Sequence, residues 1–104
     1  MTSKFKLDVA PTFKATVLIP VHGGKTAPVE FEFKHVTKDE YLTIFSPENV
    51  LPDVELIQKL CAGWDLDDKF NAESIEKLRQ NYQGAPGAIV RKYVDEIGPA
   101  RLGN

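Results

Sequence analysis

The chain has 104 residues, the size of one domain, with room for a single hydrophobic core and no second independently folded half. Apolar residues make up 42% and charged residues 27%, the balance of a folding globular chain rather than a disordered one. Thirteen Lys and Arg against fifteen Asp and Glu leave a net charge of -2, too small to imply a strongly charged partner.

The distribution of charge says more than its sum. Residues 37–76 hold ten acids against three lysines, while residues 77–104 hold five basic residues against two acids. Basic residues scattered among acids do not form the stripe that neutralises phosphates, so no nucleic-acid partner is expected. A single cysteine, Cys61, excludes an intramolecular disulfide and suits a reducing cytoplasm. Asp8, Pro11 and Lys14 interrupt the residues behind the N-terminal lysines, which predicts no signal peptide. No run of about eighteen apolar residues occurs, so no membrane span is expected.

The first third reads as strands. Phe5, Leu7 and Val9 alternate with charged residues, as do Val29, Phe31 and Phe33, and residues 14–21 are β-branched and apolar. Gly23-Gly24 supplies a reversal, which predicts a hairpin loop from His22 to Pro28 with Pro20 on a sheet edge. At Thr37 the pattern changes. Thr37 and Glu40 fit a capping box, Tyr41, Ile44 and Phe45 follow at helical spacing, and Ser46-Pro47 ends that helix. A second helix is predicted from Pro52-Asp53, with Leu56, Ile57, Leu60, Cys61 and Trp64 on one face and Gly63 as its stop. Asn71 caps a third, with Ile75, Leu78 and Tyr82 inward. Gly84-Ala85-Pro86-Gly87 breaks it, and a fourth helix carries Ile89, Val90, Tyr93, Val94 and Ile97 up to Gly98-Pro99.

These elements define an α+β domain spanning residues 1–104: a small N-terminal antiparallel sheet of three strands (1–36), four α-helices (37–98) and a short tail (99–104).

No catalytic constellation is legible. Cys61 sits on an apolar helix face, where cysteine acts as a small hydrophobe, and His35 continues the Phe31 and Phe33 face as a half-buried structural residue. His22, in a glycine-rich loop, has no sequence-linked second group. Asp65, Asp67 and Glu76 fall at positions one, three and twelve of a calcium loop, but Lys69 and Phe70 occupy positions that need an oxygen ligand and a glycine. Gly24-Lys25-Thr26 ends like a phosphate-binding loop, yet its first glycine would be Ile19. No metal ligand set and no cofactor site is expected.

What remains is the block Cys61-Ala62-Gly63-Trp64-Asp65-Leu66-Asp67-Asp68-Lys69-Phe70-Asn71-Ala72-Glu73-Ser74-Ile75-Glu76-Lys77-Leu78. An aliphatic helix running into Gly-Trp, an acidic loop, an aromatic and a capped helix resemble the core of phage tail assembly chaperones. Tyr82, the Gly84–Gly87 break and the last helix fit the same arrangement. The acidic loop here is short and lacks an internal Gly or Pro, and Ile75 stands where Leu is usual.

The resemblance implies a non-enzymatic protein that binds the tape measure protein in the host bacterial cytoplasm, keeps it soluble and is absent from the mature virion; self-association is compatible with it. Trp64, Phe70, Tyr82 and Tyr93 are the candidate partner-binding residues, because aromatics dominate protein interfaces. The same four also suit a core, with Trp64 sealing the domain beside Phe70. Two other readings fit a small chain without catalytic groups: a tail-tube or head-tail joining component of the virion, and a host-directed inhibitor that binds a bacterial enzyme.

Overall fold

The structure is a computed structural model that describes residues 5–98. It is an α+β fold in which the described residues form a three-stranded antiparallel sheet, in the order β1-β2-β3, and four helices. The strands are β1 (Thr12–Val21), β2 (Lys25–Lys34) and β3 (Cys61–Trp64), and the helices are α1 (Lys38–Ile44), α2 (Asp53–Leu60), α3 (Ala72–Asn81) and α4 (Ala85–Ile97).

The hairpin of β1 and β2 follows from period-two alternation. Its register pairs Phe13 with Phe33, Ala15 with Phe31 and Val17 with Val29, so the apolar residues share one face. The reversal is tighter than the expected His22–Pro28 loop. Val21 already pairs with Lys25, because Gly23 and Gly24 take φ of +86° and +72° and close the turn at once. Pro28 therefore lies inside β2, opposite Leu18. Glu30 exchanges bonds with Asp65 on the β3 side, so Pro28, two residues earlier, directs its missing N–H away from β1 and costs that ladder nothing. Pro20 occupies β1, a border strand, as expected.

The third strand is not the expected one. Residues 5–9 alternate like a strand but are not one of the three sheet strands, and Phe5, Leu7 and Val9 are 80%, 90% and 57% exposed. The strand comes instead from Cys61–Trp64, expected to be the end of a helix. Helix α2 stops at Leu60, not at Gly63, and the chain turns extended at Cys61 to pair with β2. Those pairings occupy the backbone groups that Glu32 directs away from β1 and that would otherwise lack partners. Phe31 pairs with Trp64, Glu32 with Gly63 and Phe33 with Cys61, so Ala62 is the extra residue of a bulge. In a regular strand, residues three apart point to opposite faces. The bulge brings Cys61 and Trp64 to the same inner face.

Local chemistry places the helices. The capping box at the start of α1 is complete: the Thr37 hydroxyl accepts from the Glu40 N–H at 3.2 Å and Glu40 Oε1 accepts from the Thr37 N–H at 2.8 Å. The bond from the Thr37 N–H, and after it one that the Thr37 hydroxyl donates to the same Oε1 at 3.1 Å, hold the Glu40 carboxyl below its usual range. Asn71 caps α3 by accepting from the Ser74 N–H at 2.9 Å. Helix α4 begins at Ala85, earlier than the expected break allowed, since a proline in the first turn needs no N–H partner.

The helices cover the sheet's apolar face, and Val17, Ile19, Phe31, Phe33, Ile57, Leu60, Cys61, Ile75, Ala85, Ile89 and Tyr93 form the buried core. A line of touching rings runs through it: Phe70, Trp64, Phe31, Phe33, Tyr93, Phe45 and Tyr41, with neighbouring centroids 4.7 to 6.5 Å apart. At the far end of α4, a Cβ on Gly98 would lie 2.7 Å from the Val94 carbonyl and 2.8 Å from the Tyr41 hydroxyl. Gly98→Ala is accordingly expected to destabilise by about 1–3 kcal/mol, read from urea midpoints with an unchanged m-value.

Candidate functional site

The four aromatic candidates separate in the structure. Tyr93 is wholly buried, and its hydroxyl donates to the Lys34 carbonyl at 2.8 Å; burial pushes that hydroxyl's pKa up to about 12. It presents no surface. Phe70 is half-buried and meets the Trp64 ring edge-on at a centroid distance of 5.0 Å. Trp64 is half-buried between Phe31 and Phe70, and its indole N–H donates to the Asp68 carbonyl at 2.7 Å. Tyr82 lies beyond the end of α3 rather than on its inner face, and is 41% exposed.

Trp64 and Tyr82 nevertheless meet at one place. With Leu66, Asp68, Ser74, Lys77, Leu78 and Asn81 they line an open groove of about 300 Å³ between the loop after β3 and α3. The loop is fixed from three sides. Asp65 donates its N–H to the Glu30 carbonyl at 3.0 Å and accepts from the Glu30 N–H with its carboxylate at 3.0 Å, the indole holds Asp68, and Phe70 stacks on the indole edge. The tryptophan is thus a structural post with its accessible side turned to the groove. Leu66, 40% exposed between Asp65 and Asp67, was not a candidate; a lone aliphatic residue inside an acidic run was the available signal.

Four apolar or aromatic residues, Trp64, Leu66, Leu78 and Tyr82, share the groove's lining with Asp68, Ser74, Lys77 and Asn81, and Asp65 and Asp67 flank Leu66 in the same acidic loop. The groove offers contact area and an electrostatic border, with no paired nucleophile and base. A second recess, of about 480 Å³, is lined by Val21, His22, Asn81 and Tyr82 and puts His22 beside an amide and a phenol.

His35 is exposed, not half-buried as its parity suggested, because β2 ends at Lys34 and releases the alternation. It lines a separate recess with Asp39, Glu40 and Glu55. Among the described residues, no three His, Cys, Asp or Glu side chains are grouped to hold a metal ion, and no helix is long and apolar enough to cross a membrane.

A family model described as phage tail assembly chaperone matches residues 1–104. The chain belongs to the phage tail assembly chaperone family. No curated protein and no solved structure matches the chain. A role in tail assembly with protein partners follows from that membership, and the groove includes Trp64 of the Gly63-Trp64-Asp65 block in its lining.

Cys61 of the chaperone is buried at the start of β3, and loss of solvent pushes its thiol up to about 12 against an opposing pull from Lys34. At pH 8 it is a protonated, inert hydrophobe. Maleimide labelling of the native protein is expected to be negligible over minutes and complete in denaturant; rapid native labelling would contradict this placement.

Proposed function

We propose that this chaperone binds the tape measure protein in the host bacterial cytoplasm, keeps it soluble until tail tube subunits surround it, catalyses no reaction and is left out of the mature virion. The observation that carries this reading is the groove of Trp64, Leu66, Leu78 and Tyr82, since apolar side chains open to solvent on a rigid support are what a long, aggregation-prone helical client needs. The acidic loop beside it keeps the complex charged and dispersed. In this reading an amphipathic client helix lays its apolar stripe against Leu66 and Tyr82, with Trp64 and Phe70 supporting from below.

Pull-down and particle composition test this together. The tape measure protein is expected to co-purify with the tagged chaperone from infected or co-expressing cells, and mass spectrometry of purified virions is expected to find the chaperone absent. Stoichiometric presence in virions would favour a tail-tube or joining component instead.

A further inference from the structure

The groove does not end at Tyr82. Asn81 and Tyr82 also line the recess of about 480 Å³ whose other walls are Val21 and His22, at the tip of the hairpin of β1 and β2. The two recesses thus abut along one path. It starts at the loop after β3, follows Ser74, Lys77, Leu78 and Asn81 on α3, and crosses Tyr82 to the hairpin turn. Those α3 positions are spaced as one helical face, and the 10 residues of α3 carry the path about 15 Å.

Charge changes sign along this path. Residues 65–76, which form its first part, hold Asp65, Asp67, Asp68, Glu73 and Glu76 against Lys69 alone. Asp65 is engaged by the Glu30 N–H and Glu76 by Arg79, but no ion pair among the described residues neutralises Asp67 or Asp68. The far part comes from two stretches without any acid, residues 9–29 and residues 77–94. Lys25 pairs with Val21 across the hairpin, so it stands on the sheet face that walls the recess, and both Lys25 and His22 are exposed. The two ends lie farther apart than the roughly 8 Å over which physiological salt screens exposed charges, so each acts on its own part of a ligand.

We propose that the whole path is one docking site and that its occupant is an amphipathic client helix with segregated charge. Basic side chains at one end of the segment meet Asp67 and Asp68, the apolar stripe covers Leu66 and Tyr82, and acidic side chains at the other end meet His22 and Lys25. The proposal rests on the groove being the client site, and adds which client segment fits and which way round it lies. A helix with both signs interleaved buries the same stripe but brings like charge to each end.

Fluorescence anisotropy of labelled synthetic helices of about 18 residues with a common apolar stripe is the test. One carries glutamates in its first half and lysines in its second, the order that favours its own helix; one interleaves them; one carries lysines alone. The full chain is expected to bind the segregated helix about fivefold tighter than the interleaved one, an advantage lost in high salt. Asp67→Lys with Asp68→Lys should abolish the advantage and leave the interleaved helix and the circular dichroism unchanged, since both positions are exposed. His22→Asp with Lys25→Asp makes both ends acidic and should transfer the preference to the lysine helix.

Equal affinity of the full chain for the segregated and interleaved helices, or a loop variant that weakens both alike, overturns the proposal. A preference indifferent to the hairpin substitutions overturns the continuation past Tyr82. If the tape measure protein co-purifies while the helices bind alike, this proposal falls and the chaperone reading stands; if the charge preference holds and the tape measure protein does not bind, the chaperone reading falls instead.

Discussion

Phe31→Ala is expected to cost about 3–5 kcal/mol of folding stability, seen as a large fall in the urea midpoint. Phe31 is fully buried in the middle of the central strand, where it faces Ala15 on β1 and Trp64 on β3. Its ring lies 5.9 Å from those of both Phe33 and Trp64, so its removal opens a cavity between the hairpin and the strand that carries the groove. Because Trp64 is the sole tryptophan, its fluorescence reports the defect directly. Val50→Ala, at a position 84% exposed, serves as the control and should change stability by no more than about 0.5 kcal/mol. A Phe31 variant as stable as that control would mean that β3 is not docked on β2 as described.

The second large effect concerns binding. Leu66→Asp combined with Tyr82→Asp is expected to weaken the complex with the tape measure protein by about 30-fold or more, the effect of losing 2 kcal/mol at an interface centre. Stability should fall by about 1 kcal/mol or less, since both side chains keep some 40% of their surface exposed and neither belongs to the core. The substitutions replace apolar contact with charge beside a loop that is already acidic, so the effect should shrink in high salt only in part. Trp64→Ala is a poorer probe, because it also removes the support of the loop and the edge contact to Phe70.

What the sequence revealed follows the range of the interactions. The capping box at Thr37 and the Asn71 cap are bonds between residues three apart, and both were readable because all partners lie in one short window. The Gly23-Gly24 reversal is equally local. By contrast, Phe5–Val9 has the pattern of a strand, and a pattern cannot say whether a neighbouring strand exists. Cys61 and Trp64 mislead in the opposite direction. Their three-residue spacing imitates a helical face, whereas the shared face is produced by a bulge at Ala62 against β2, some thirty residues away in sequence.

The candidate site was legible as a cluster of residue types but not as a surface. Aromatic side chains serve cores and interfaces alike, so nothing in the chain separated Tyr93, whose hydroxyl is tied to Lys34, from Tyr82, which stands at the rim of the groove. The family block pointed to Trp64, and the fold gives that residue two duties: it packs on Phe31 inside and lines the groove outside.

Co-expression with the tape measure protein tests the central claim most directly. The wild-type chain should move most of the client from the pellet to the soluble fraction, and the folded Leu66→Asp with Tyr82→Asp variant should leave it in the pellet. A tape measure protein no more soluble with the wild-type chain than without it would contradict the chaperone reading.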